Sequence, residues 1–509
     1  MKERNHDHLL PDLSFDGGDL DCGNGLLLLI RRHIDPLDQG KLLEIRSTEP
    51  SVETDLPSWC RLTGNELVEI LREAEGNVRR YLIRKGGPSS KPPKTIASAI
   101  PAPLEHLLRA VVIPERLPRP SPAPDIAPLS TMCIGSWPRP NWMLRAIHER
   151  LEGRTDPVTF AETGNDAVRL CVASQLEAGV DVVTDGEQRR DSYASFVGGI
   201  LDNAQLIPLS DLSAMVDDPE KFREELAALD VPADDVRHPV PLGPLGRSEP
   251  LAVHEFEFAA SLTDKPIKIA LPGPYLLTRT MWLDCLRDNS YNSREDVAKD
   301  IVRILREELH YLLAAGVALV QFDEPVLTEV VFTRPDKSRS FMCGALSEKG
   351  APEDELRFAS DLINQVVAGL PKERTAVHIC RGNWTKDEGA LLAGNYQPLL
   401  PYLRSATVGT LFLEYSTPRA GEIELLSQIP ETVRIGLGVV NPRSERVETV
   451  EEIVGRARAA MSLIGRDRLL LNSDCGFATF ADNPVASASI AKSKLVSMAA
   501  ATHLLRGEQ

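Results

Sequence analysis

Basic residues, cysteines and long apolar runs are all scarce in this 509-residue chain. Lysine and arginine total 57 against 74 aspartates and glutamates, a formal net charge of −17. Such a chain repels phosphate backbones, so no nucleic-acid partner is expected. The longest apolar run is YLLAAGVALV, residues 311–320. A membrane-spanning helix needs about 20 such residues, so no membrane partner is expected either. The opening residues MKERNHDH lack the apolar stretch of a secretory signal. Eight cysteines are too few for a disulfide scaffold at this length. A reducing cytoplasm is the expected compartment, and paired Cys and His read as metal or catalytic candidates.

Proline is abundant in one place only. Residues 88–128 hold eleven of the 38 prolines. Proline removes a backbone donor and fixes φ, so this stretch reads as a semi-extended linker. The chain therefore divides into residues 1–87, the linker 88–128, and a large piece, 129–509. The small piece reads as mixed α/β, with helices in residues 26–34 and 55–64. Its expected strands are 41–47, 66–70 and 78–83. In the large piece, eight short β-rich runs recur: 132–134, 180–184, 267–271, 317–322, 375–379, 408–413, 433–437 and 469–471. Amphipathic segments of helical period separate most of them, as in 161–178, 295–315, 353–368, 450–464 and 486–504. Eight βα units in one α/β domain predict a (β/α)₈ barrel. Residues 190–265 show no clear period and are placed as an insertion after the second strand.

Catalytic groups of such a barrel come from the C-terminal ends of its strands. Strand five ends in His378, Ile379 and Cys380, strand six reaches Glu414, and strand eight ends in Asp474, Cys475 and Gly476. His378 and Cys380 stand at i and i+2, on one face of a strand. With Glu414 and Cys475 they offer an imidazole, two thiolates and a carboxylate, a donor set suited to Zn²⁺. Two thiolates and a carboxylate make the metal electron-rich. Such a metal activates water poorly and suits the binding of an incoming thiol as a thiolate. The residues therefore point to alkyl transfer onto a thiol rather than to hydrolysis.

The ordered segments IGSWPRP, DVVTDGEQRRD, LPGPYLL, QFDEP, HIC, FLEYS, IGLGVVN and NSDCGF resemble the landmarks of the cobalamin-independent methionine synthase family, from about Ser130 onward. The resemblance implies a zinc-containing barrel that transfers a methyl group to homocysteine, with His378, Cys380, Glu414 and Cys475 as ligands. It also implies homocysteine contacts from the backbone of Ile134, Gly135 and Ser136 and from the carboxylates of Glu187 and Asp323. Two carboxylates facing an ammonium group suit an amino-acid thiol. The methyl donor implied is a folate or a methylcorrinoid. Full-length members carry a second, N-terminal barrel and a His after strand seven. Residues 1–128 are too few for such a barrel and none is expected there, and Asn441 and Arg443 stand in the segment after strand seven. The alternatives are alkyl transfer to another small thiol, as in epoxide–thiol transferases, and a sulfur relay or sensor.

The pattern GGDLDCGNGLLLLIRRHIDPL followed by LLEIRSTEP and PSWCRLTGNELV is similar to the TusA/SirA sulfur carriers. The resemblance implies a two-layer α/β sandwich, a persulfide on Cys22, and a sulfur-donor protein as partner. The family's Cys-Pro-x-Pro is here Cys22-Gly23-Asn24-Gly25. Cys60 matches a second cysteine of that family.

Overall fold

Two interleaved periods, one of strands and one of helices, build the larger part of the molecule. The computed structural model describes residues 10–18, 26–50, 52–63, 65–72, 78–86, 108–151, 153–208, 237–282, 290–332, 350–383, 386, 392–481 and 484–507. The chain separates into two compact units, residues 1–103 and 104–509.

In the first unit, strands β1 (Leu13–Asp16), β2 (Leu42–Ser47), β3 (Glu66–Arg72) and β4 (Arg79–Arg84) form one sheet in the order β1-β2-β4-β3. The β1–β2 pair is parallel and the other two are antiparallel. Helices α1 (Leu27–Ile34) and α2 (Val52–Leu62) supply its core. Leu26, Ile30 and Ile34 repeat every fourth residue, as do Val52, Leu56 and Cys60, and all six are buried with Leu43, Ile45, Tyr81 and Ile83. That spacing puts one apolar stripe on each helix. Strand β1 was not foreseen. Cys22 lies outside the described residues.

In the second unit, seven parallel strands form a curled sheet, consistent with a barrel, in the order β5-β13-β12-β11-β10-β9-β8. They are β5 (Thr131–Met132), β8 (Lys268–Pro272), β9 (Leu319–Asp323), β10 (Thr375–Ile379), β11 (Thr410–Leu413), β12 (Arg434–Val440) and β13 (Leu469–Ser473). The expected second strand, residues 180–184, makes only an isolated bridge, Val183 with Ile267. Its backbone nevertheless reaches both sheet edges. Val182 N donates to Thr131 O (3.1 Å), and Lys268 N donates to Val183 O (2.9 Å).

Side-chain alternation along each strand sorts the residues into two cores. Met132, Ile134, Val182, Leu319, Ala376, Phe412 and Leu470 meet in one cluster. Their outward neighbours, such as Val320, Phe322, Val377, Ile379, Leu411 and Leu471, pack with the helices in another. His378, two residues beyond Ala376, shares the inner face, and so do Gln321 and Asp323 beyond Leu319. Helix boundaries follow local chemistry. In the helix Pro157–Ala178, Asp156 accepts hydrogen bonds from Val158 N and Thr159 N, Pro157 opens the first turn, and Gly179 closes the last at φ 83°. Helix Val450–Ile464 begins with a reciprocal cap between Thr449 and Glu452.

The stretch without clear period, 190–265, holds an antiparallel pair, β6 (Asp202–Pro208) and β7 (Arg237–Gly246), and a helix, Val253–Ala260. Four prolines and two glycines in or beside these strands break the alternation that would announce them. Arg190 fastens this insertion to the sheet. It forms a buried ion pair with Glu255 and donates from Nη1 to Ala270 O (2.8 Å). Arg190→Met would strand the Glu255 carboxylate in the interior. The expected loss is about 3–5 kcal/mol of unfolding free energy in urea titrations. A loss within error would mean that Glu255 finds another partner.

Residues 108–128 form neither helix nor strand. They are tied to the last turn of helix Arg294–Ala315 and to the start of β12: Ser121 N donates to Leu313 O (3.1 Å), and Arg434 Nη1 to Ile126 O (3.0 Å). No described helix is long and apolar enough to cross a membrane.

Candidate active site

Strand ends β10 and β13 bring three donors together. The ligand atoms of His378, Cys380 and Cys475 lie within 4.8 Å of one another, and all three residues are buried. Cys380 and Cys475 share a hydrogen bond, which holds the Cys380 thiol below its usual range and pushes that of Cys475 up. Asp323 Oδ1 accepts from His378 Nδ1 (2.8 Å), and Nε2, 3.2 Å from Asp474 O, is the nitrogen that would turn to a metal. Glu414 stands outside this group of three. Its Oε1 accepts from Arg381 N (3.0 Å), and its Oε2 faces Arg419 (3.3 Å) and Arg443 (3.6 Å).

A cavity opens beside the donors. Ile134, Ser136, Glu187, Asp323, His378, Cys380 and Cys475 line it, and so does Gly476. Every expected site residue except Cys22, Gly135 and Glu414 therefore faces one space. Gly135 serves it indirectly, because a Cβ there would lie 2.1 Å from Glu187 Oε1. Glu187 adopts φ 54°, a left-handed conformation that costs a residue with a Cβ. Its Oε2 is buried and makes no hydrogen bond among the described residues. Burial pushes the Glu187 carboxyl up to about 7, Arg190 opposes the shift, and Asp323 adds to it. A carboxyl so poised at a cavity wall marks a binding or acid–base position.

Four further residues line the cavity and were not foreseen: Tyr193, Asn383, Thr479 and Phe480. They stand in loops after strands two, five and eight, where no period marks them. Asn383 Nδ2 donates to Gly476 O (2.7 Å) and to Thr479 Oγ1 (2.7 Å), joining two of these loops. Arg443 Nη1 donates to Asn383 Oδ1 (3.2 Å) and Gly382 O (3.1 Å). It thus occupies the segment after strand seven as a buried cation beside Glu414 and Asp474. Glu324, next to Asp323, has a structural task. Its carboxylate accepts from Tyr275 N and Leu276 N (2.8 Å each) at the start of helix Pro274–Met281.

Comparison with known proteins adds an independent line. The "Methionine synthase" of Saccharolobus solfataricus is 26% identical over 382 residues, covering 75% of this chain and 96% of that protein. That of Sulfolobus acidocaldarius is 25% identical over 386 residues, covering 75% and 94%. Among solved structures, a B12-independent methionine synthase from Shewanella sp. W3-18-1 in complex with selenomethionine superposes with a TM-score of 0.56. It is 25% identical, and the match covers 75% of this chain and 98% of that one. The family described as "Cobalamin-independent synthase, Catalytic domain" matches residues 129–349 and 361–502, so this chain belongs to the cobalamin-independent methionine synthase family.

Proposed function

We propose that this chain is a zinc-dependent methyltransferase that moves a methyl group onto the sulfur of homocysteine, giving methionine, on a closed (β/α)₈ barrel spanning residues 129–509. The convergence of His378, Cys380 and Cys475 beside two buried carboxylates carries the reading. The named relatives support the acceptor. One imidazole and two thiols at buried strand ends fit Zn²⁺. Glu414, drawn aside by Arg419 and Arg443, suits a fourth ligand that gives way to substrate. Zinc held there would lower the pKa of an incoming thiol from about 8.5, making it nucleophilic at neutral pH.

The chain's own residues do the rest. Glu187 and Asp323 accept hydrogen bonds from the substrate ammonium, and the backbone of Ile134 to Ser136 faces its carboxylate. Burial of the donors keeps competing water out. Methyl-tetrahydrofolate and a methylcorrinoid are the candidate donors. Arg443, where full-length relatives place a His, favours a donor whose leaving group needs no proton from that position. For residues 1–87, the sheet order β1-β2-β4-β3 with two helices supports a TusA-like two-layer sandwich. Cys22 would then carry sulfur from a donor protein, and residues 88–128 would tether it. Thiols used in this way suit a reducing cytoplasm.

The test is to load the full chain with zinc and supply homocysteine with methyl-tetrahydrofolate, its polyglutamates or a methylcorrinoid. Methionine is expected with one of the three. No methionine with any of them, alongside alkylation of another thiol, would reassign the acceptor.

A further inference from the structure

Lys268 is fully buried on the inner face of β8. Burying an ammonium is costly without a partner. Among the described residues it has one hydrogen-bond acceptor, Gln321 Oε1 at 2.5 Å, and no carboxylate within ion-pair distance. It also sits 4.4 Å from the centroid of the Phe412 ring. Burial pushes its pKa down to about 8, opposed by the charges of Cys133, Asp323 and Glu187. Filling the barrel would be done better by methionine, so the charge needs another reason.

The hydrogen bonds above it supply one. An ammonium only donates, so Gln321 turns Oε1 toward Lys268 and its amide nitrogen away. Nε2 of Gln321 donates to Asp323 Oδ1 at 2.7 Å. The same oxygen accepts from His378 Nδ1 at 2.8 Å. A four-residue chain thus runs from the interior of the sheet to the imidazole of the three-donor group. Each link fixes the next: cation, amide orientation, carboxylate rotamer, imidazole tautomer.

We propose that Lys268 is a positioning residue of the metal centre, acting through Gln321 and Asp323 to hold His378 with Nδ1 protonated and Nε2 available to a metal shared with Cys380 and Cys475. The inference rests on the zinc reading above. Lys268 touches neither metal nor substrate. Its positive charge also offsets the thiolates and carboxylates gathered over it.

Two substitutions in the full chain test this. Lys268→Met keeps the bulk and removes the charge. Gln321→Glu keeps a partner for Lys268 but removes the donor to Asp323. Zinc affinity, measured by chelator competition, is expected to fall about 10- to 100-fold in both, the usual effect of losing a partner that orients a ligand. The metal-free melting temperature of Lys268→Met should hold or rise, which a purely structural lysine would not allow. The second readout needs no metal. Nitrogen chemical shifts of the His378 ring, assigned by its absence in His378→Gln, should show Nδ1 protonated in the parent. Both variants should show a lower Nδ1–H share. Zinc held as tightly as in the parent by both variants would overturn the proposal. So would an unchanged tautomer, whatever the zinc result. A parent that takes up no zinc would sink the zinc reading instead, and the tautomer would still decide the role of Lys268.

Discussion

Cys380→Ser and Cys475→Ser are each expected to strip the metal and abolish methyl transfer. Serine keeps the shape of cysteine, but its hydroxyl does not ionise near neutral pH and binds zinc weakly. Removing a partner that merely orients a ligand costs about 10- to 100-fold in affinity or activity, and losing the ligand itself should exceed that range. The parent chain is expected to hold close to one zinc, and each variant a small fraction of it, by elemental analysis of protein dialysed against a weak chelator. Cys171 provides the control. It is buried within the helix Pro157–Ala178, where its Sγ accepts from Gln175 Nε2 (3.1 Å), it is not one of the three donors, and burial pushes its thiol up. Cys171→Ala should keep both zinc and turnover. A Cys380→Ser protein that retained both would refute the donor set.

Glu187→Gln is expected to raise the KM for homocysteine about 10- to 100-fold, because a hydrogen bond to a charged group is worth about 1.5–3 kcal/mol. The pH profile should change with it. In the free protein the Glu187 carboxyl is held up at about 7. Below that pH it is a neutral acid and cannot pair with an ammonium; above it, the carboxylate can. Thus kcat/KM for homocysteine should rise as pH increases through about 7, below the limb set by the thiol itself near about 8.5. The lower limb should vanish in Glu187→Gln, and initial rates across pH 5.5–9 would reveal it. Asp323→Asn should raise KM too and also weaken zinc binding, because Asp323 holds His378 as well as facing the cavity. A Glu187→Gln enzyme with an unchanged KM and profile would mean that the amino group is bound elsewhere.

Much of this site was legible because strand chemistry is periodic. His378 and Cys380 share a face by the alternation of any strand, and the QFD segment places Asp323 on the inner face beyond Leu319 for the same reason. The helices were legible where caps and apolar stripes coincide, as at Thr449 and Gly179. What stayed hidden has no period to read. Asn383, Tyr193, Thr479 and Phe480 stand on loops, where neighbours are set by the whole curled sheet. The antiparallel pair β6–β7 is interrupted by proline and glycine. The engagement of Glu414 by Arg419 and Arg443 is also a tertiary fact, since the two arginines arrive from different loops. So is the chain from Lys268 to His378, which crosses three neighbouring strands.

The placement of the donors also fixes when the site can come into being during synthesis. His378 and Cys380 lie on β10, but Cys475 follows β13, the last strand before the C-terminal helix Ala488–Arg506. A nascent chain carries two donors long before the third leaves the ribosome, and a domain closes its core only once its last strands are available. Before then the early pair is exposed to stray metals and oxidants without the burial that later shields it. Metal uptake at the proposed site would therefore be a late event that reports a finished fold, and any truncation upstream of Cys475 would remove one of its three donors.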